Sequence, residues 1–133
     1  MNINKKNGFF IIEVLISLLV FTIGVMSVLN FQKNAISNST NSQNRLIAIN
    51  YSESLINKIF LDKNNLESYV NKTAVGYIEW LNELKENLPN VQYQEPEIYL
   101  EVIDGKTILN LTIYWKDPAN NNFSQHTVKT GVL

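Results

Sequence analysis

The stretch Gly8-Phe9-Phe10-Ile11-Ile12-Glu13-Val14-Leu15-Ile16-Ser17-Leu18-Leu19-Val20-Phe21-Thr22-Ile23-Gly24 continues largely apolar to Phe31, and Glu13 is the one ionisable side chain in it. Phe9 to Phe31 spans 23 residues. As a helix that is about 34 Å, against a hydrocarbon core of about 30 Å. The run is apolar on all faces and too long for the core helix of so small a domain. It is also too long for the apolar region of a cleaved secretory signal, and Asn30-Phe31-Gln32-Lys33-Asn34 offers no small-x-small cleavage site. A membrane anchor remains. Lys5 and Lys6 precede the run, which places the N-terminus in the cytoplasm and the rest of the chain on the far side. A carboxylate in lipid costs roughly 2.5–3.5 kcal/mol on insertion scales. A plain anchor gains nothing from Glu13, so the residue calls for a use.

Outside this stretch the composition mainly excludes. The chain has 133 residues, a net charge of −1, no cysteine and one histidine, His126. About a hundred residues follow the apolar run, enough for one small domain with a thin core. No Lys/Arg cluster other than Lys5-Lys6 supports nucleic-acid binding. Without cysteine there is no disulfide framework, thiolate metal site, cysteine nucleophile or lipid attachment site. A single histidine removes a His-dependent triad and multi-His metal sites, and no Gly-rich loop is present to cradle phosphate. These features predict no enzyme, no metal and no cofactor.

From Asn30 to Leu61 neither proline nor glycine occurs. Apolar residues at Leu29, Ile36, Leu46, Ile49, Leu55/Ile56 and Ile59/Phe60 form a helical stripe. Ser37-Asn38-Ser39-Thr40-Asn41-Ser42-Gln43 interrupts it with poor helix formers. This segment reads either as a linker or as polar helix. Asp62-Lys63-Asn64-Asn65 reads as a turn. Thr73 to Leu88 reads as a second helix with Val75, Ile78, Leu81/Trp80, Leu84 and Leu88 on one side, stopped by Pro89. Glu79 and Glu83 on its polar side resemble an acid pair, but no further ligand is spaced to complete a site, and a solvated face is the simpler reading. The Asn-x-Ser/Thr triplets at Asn38, Asn50, Asn71 and Asn110 are expected by chance in an Asn-rich chain and are assigned no glycosylation.

After Pro96 the period becomes two. Ile98, Leu100 and Val102 alternate with Tyr99, Glu101 and Ile103, Asp104-Gly105 signals a two-residue hairpin, and Leu109, Leu111, Ile113 and Trp115 alternate with Asn110, Thr112 and Tyr114. A loop from Asp117-Pro118 through Asn122 leads to a third strand, Phe123 to about Thr130, with His126, Val128 and Thr130 on one face. The result is an antiparallel three-stranded meander whose apolar face needs a cover. The upper half of the long helix is available for that role. The tryptophans and tyrosines read as core or interface residues rather than a stacking platform, and His126 as a packing or edge residue. The fold class is therefore α+β: a long N-terminal helix with a transmembrane lower half, a small antiparallel three-stranded sheet and one short extra helix.

Gly8-Phe9-Phe10-Ile11-Ile12-Glu13, with its basic leader and uninterrupted apolar continuation, resembles the processing motif of type IV pilins and pseudopilins. The resemblance implies a leader, residues 1–8, removed by a membrane-embedded prepilin peptidase between Gly8 and Phe9. The same enzyme would N-methylate Phe9. Cleavage would discard Lys5 and Lys6, leaving nine basic against twelve acidic side chains, net −3. Residues 9–31 would form the transmembrane and assembly half of one continuous helix, and residues 32–133 its upper half plus the globular head. Glu13 would neutralise the N-terminal amine of a neighbouring subunit. The implied partners are the peptidase, other minor and major pilins, the inner-membrane assembly platform and the membrane itself. The implied location is the bacterial inner membrane, single-pass with the head periplasmic, and then a pilus or pseudopilus filament. The short mature chain, the missing C-terminal cysteine pair and the strand-rich tail look most like PilV-type minor pilins or the I-type pseudopilins of type II secretion. A simple membrane-anchored protein outside any filament is the competing class.

Overall fold

The computed structural model describes residues 5–88, 91, 94–117 and 122–132, with side chains from residue 9 onward. Helix α1 runs Lys5–Leu61 without a break, so the polar segment 37–43 is helical and not a linker. A 3-10 turn over Lys63–Asn65 leads into α2, Leu66–Val70, then α3, Val75–Asn87, and strands β1, Glu97–Ile103, β2, Lys106–Lys116, and β3, Phe123–Gly131. The sheet is an antiparallel meander in the order β1-β2-β3. This is the expected α+β architecture, with one more short helix than the sequence suggested. Pro89, expected to stop α3, and residues 118–121 of the β2–β3 loop lie outside the described residues.

The chain divides into two units, one ending at Ile36 and the other starting at Ser37. The first is helix alone. Its best 18-residue window has a mean hydropathy of 2.6 and none of it is buried, so by length and composition it can cross a membrane. The hydroxyls of Ser17, Thr22 and Ser27 donate to the backbone carbonyls of Glu13, Leu19 and Ile23 at 2.8–2.9 Å. Each is thus satisfied inside its own helix, as lipid requires.

In the second unit, the buried stripe of α1 is the expected one at Leu55 and Ile59 but not at Leu46 and Ile49. Asn44, Ala48, Ser52, Leu55 and Ile59 are buried, whereas Leu46 is 61% exposed and Ile49 only partly covered. Ala48 lies in one core with Trp80, Trp115 and Tyr77. Ser52 is tolerated because its hydroxyl donates to the Ala48 carbonyl at 2.7 Å, leaving no orphan donor. The sheet covers this stripe with Leu109, Leu111, Ile113 and Trp115, the alternating set expected. On β1 only Ile98 of the predicted face is buried; Leu100 and Val102 are exposed. Asp104 and Gly105 both take positive φ, 51° and 74°, the paired left-handed geometry of a two-residue hairpin turn. Across the other sheet face Glu101 bridges to Lys129 at 3.6 Å and Thr112 meets Thr127 at 3.0 Å.

The α3 segment buries Trp80, Leu84 and Leu88 of its expected face but not Val75 and Ile78. Tyr77, Trp80 and Leu84 are buried, while Val75 is 71% exposed and Ile78 is also exposed. Aromatic side chains bury more area than Val or Ile, so they take the inner face. The Tyr77 and Trp80 rings lie 5.5 Å apart at 36°, and burial, followed by the charge of Glu95, pushes the Tyr77 hydroxyl up to about 12. The turn before α3 is a backbone cap: Lys72 N–H donates to the Tyr69 carbonyl and Thr73 N–H to the Ser68 carbonyl. Lys72 holds the left-handed position (φ 60°) that glycine usually fills, and its ammonium reaches Glu95 at 3.5 Å.

Gly76 is fixed by a close approach. A Cβ there would sit 2.7 Å from the hydroxyl oxygen of buried Tyr69. Gly76→Ala should therefore destabilise the head, with an overpacking cost of about 1–3 kcal/mol exceeding the roughly 1 kcal/mol gained in helix propensity. Removing the clashing oxygen with Tyr69→Phe should recover part of the loss. Urea melts of the two single variants and the double variant measure that coupling, and strict additivity would show the contact to be irrelevant.

Candidate functional site

Two places in the chain concentrate chemistry, one in each unit. In the apolar helix, Phe9 is exposed and Glu13 follows one turn later on the same side. Glu13 and Ser17 form a ridge between two shallow surface grooves, one floored by Phe10, Val14, Leu18 and Phe21, the other by Phe9, Ile12 and Ile16. Since Ser17 spends its hydroxyl on the Glu13 carbonyl, it offers nothing to the Glu13 carboxylate. Among the described residues no hydrogen bond or ion pair reaches that carboxylate. Gly8 and Phe9 fall in the first two turns of α1. The side chains of Lys5 and Lys6 lie outside the description.

The second place is in the head. Asn41, Ser42 and Arg45 of α1 and Trp115, Ser124 and Gln125 of the sheet enclose an open cavity of about 380 Å³. The Trp115 indole N–H donates to Asn41 Oδ1 at 2.7 Å, and the Asn41 amide reaches Asp117 Oδ2 at 3.4 Å. These bonds explain how a poor helix former is held at position 41: the amide is paid for by the sheet. Sequence reasoning missed this cluster because its members lie 74 positions apart along the chain, and Asn41 sits in a run that reads as linker.

His126 lies half-buried on β3, opposite Ile113, with a buried Nε2 that has no hydrogen-bond partner. Burial, and then the nearby Arg45 charge, lower its pKa below the ordinary 6.5. Folding thus favours the neutral form. The stabilisation it gives is complete above pH 6.5 and is lost as pH falls through the lower folded value. Head stability measured in urea should decline between neutral and mildly acidic pH, and His126→Gln should flatten that decline. An unchanged slope would assign it to the carboxylates.

Glu79 and Glu83 are exposed on α3, and among the described residues no three His, Asp or Glu side chains converge. No protein-family model matches the chain, and neither does any curated protein or solved structure.

Proposed function

We propose that the chain is a minor subunit of a type IV pilus-like filament, of the PilV type. The observation that carries this reading is the coincidence of Gly8, Phe9 and Glu13 at fixed offsets in a wholly exposed apolar helix whose hydroxyls are already satisfied. Nothing in a plain anchor accounts for that placement of a carboxylate. A membrane peptidase cuts after Gly8, where the absent side chain lets the backbone extend in a cleft. The cut exposes the Phe9 amine, which is then methylated. Within the bilayer the new ammonium of one subunit and Glu13 of the next attract strongly at low dielectric, which offsets part of the desolvation of both and sets the axial register.

The head stays outside the inner membrane and carries the surfaces that select neighbours. The related I-type pseudopilin of type II secretion is the second reading, favoured by the same strand-rich tail. Mass spectrometry of the N-terminus of the native protein tests the processing step. The expected N-terminal residue is N-methyl-Phe9. A chain beginning at Met1 in the membrane would remove the proposal and leave a simple anchor.

A further inference from the structure

We propose that residues 37–43 of α1 form a latched joint: a helical section held shut by the Trp115 indole on Asn41, which uncoils when that bond opens while the head core stays folded. Six of the seven residues in Ser37-Asn38-Ser39-Thr40-Asn41-Ser42-Gln43 are Ser, Thr or Asn, whose side chains compete for backbone hydrogen bonds and disfavour helix. Ser42 already does so, donating to the Asn38 carbonyl at 2.9 Å. Asn38, Ser39, Ser42 and Gln43 are exposed, and Ser37, Thr40 and Asn41 are only half-buried. The buried stripe of α1 begins after this run, at Asn44 and Ala48. Local preference therefore does not account for unbroken helix here, and a tertiary contact is needed.

Two features make the Trp115–Asn41 bond that contact. Its donor is fixed: Trp115 is 2% exposed, pairs with Ser124 of β3 and lies in one core with Trp80. An indole held by the core does not follow a moving helix, so its 2.7 Å bond to Asn41 Oδ1 draws the helix to the sheet. The Asn41 amide adds a longer contact, 3.4 Å, to Asp117 Oδ2. The bond is also releasable. It borders the open cavity of about 380 Å³ lined by Ser42, Arg45, Ser124 and Gln125, which gives the Asn41 side chain room to swing away and water room to replace it. The other indole supplies a contrast. Trp80 Nε1 donates to the Tyr51 main-chain carbonyl at 2.8 Å, in a section of α1 where Ala48, Ser52 and Leu55 are buried. That section keeps its helix through core packing and needs no latch. The joint lies wholly within the second unit and stands whether or not the chain enters a filament.

Alanine has a higher helix propensity than asparagine, and this gives the test a sign. Were propensity in control, Asn41→Ala would slow amide hydrogen exchange in the run; a latch requires the opposite. Exchange is followed by nitrogen-15 NMR on the full chain in detergent micelles, at the amides of residues 38–43 and, as a core reference, of residues 52–59. In the native chain the first group should be protected yet exchange at least about tenfold faster than the second, with little response to low urea, because a local opening exposes little surface. Asn41→Ala should speed exchange at 38–43 by about fivefold or more, the scale of one hydrogen bond. Trp115→Phe keeps a ring but removes the donor and should act in the same direction. The double variant should be no faster than the faster single one, as for two halves of one contact. Ser39→Ala, exposed and outside the latch, should slow exchange about twofold. Unchanged or slower exchange at 38–43 in Asn41→Ala overturns the proposal, and so does unchanged exchange in Trp115→Phe. Equal native rates for the two groups would also overturn it, since the joint would then open only with the whole head.

Discussion

Trp80→Ala should lower the stability of the head by about 3–5 kcal/mol, the range for deleting a fully buried tryptophan. Trp80 is completely buried and shares one core with Ala48, Leu55 and Ile59 of α1 and with Ile113 and Trp115 of the sheet. Its indole N–H donates to the Tyr51 carbonyl at 2.8 Å, a direct bond from α3 to α1. Truncation therefore opens a cavity and removes the polar tie between two helices. A domain of this size has about 5–15 kcal/mol in total, so one substitution removes a large share of it. Trp80→Phe keeps most of the ring but not the donor, and should cost less than half as much. Urea titration of the full chain in micelles, read by the emission of Trp115, measures both. Both tryptophans lie in the second unit, so emission reports on the head and not on the long apolar segment. A cost below about 1 kcal/mol for the alanine variant would mean that the surrounding groups collapse onto the gap, and that α3 is not anchored through this residue.

The sequence was informative where one period dominates. The apolar run, the Asp104-Gly105 turn and the alternation of Leu109, Leu111, Ile113 and Trp115 all read directly, because each depends on local geometry. The α1 stripe read only in part, at Leu55 and Ile59. Asn44, Ala48 and Ser52 are buried where hydropathy does not predict it: Ala48 is small and shares a core with large aromatics, and the Ser52 hydroxyl finds a partner within its own helix. Leu46 and Val75 were misread in the opposite sense. Isolated exposed apolar residues are normal, so a periodic apolar position is weak evidence of burial; on α3 the aromatics Tyr77 and Trp80 take the inner face in place of Val75. On the candidate site, the Gly8–Phe9–Glu13 spacing could be read from the chain alone. The Arg45 cavity could not, since it is assembled from one helix and two strands.

Glu13→Leu should move insertion and assembly in opposite directions, and this separates the filament reading from a plain anchor. At the centre of a span, exchanging a carboxylate for leucine favours insertion by roughly 3–4 kcal/mol, and less than that for a residue one turn from the start of the run. The variant should therefore fractionate with the membrane at least as well as the native chain. In a filament, however, the Phe9 ammonium of the neighbouring subunit would lose its counter-charge and remain as an unpaired ion in lipid. Removing one partner of a buried pair typically costs 3–5 kcal/mol. The amount recovered in sheared filaments should then fall by well over tenfold, since each 1.4 kcal/mol is a factor of ten. Glu13→Gln refines the argument: it keeps shape and hydrogen-bonding capacity but not charge, and should behave like the leucine variant if the ion pair is what matters. If the glutamine variant assembled normally, a hydrogen bond would suffice. Normal recovery of the leucine variant in filaments would show that the carboxylate plays no part in assembly and return this segment to the status of a membrane anchor with an unexplained charge.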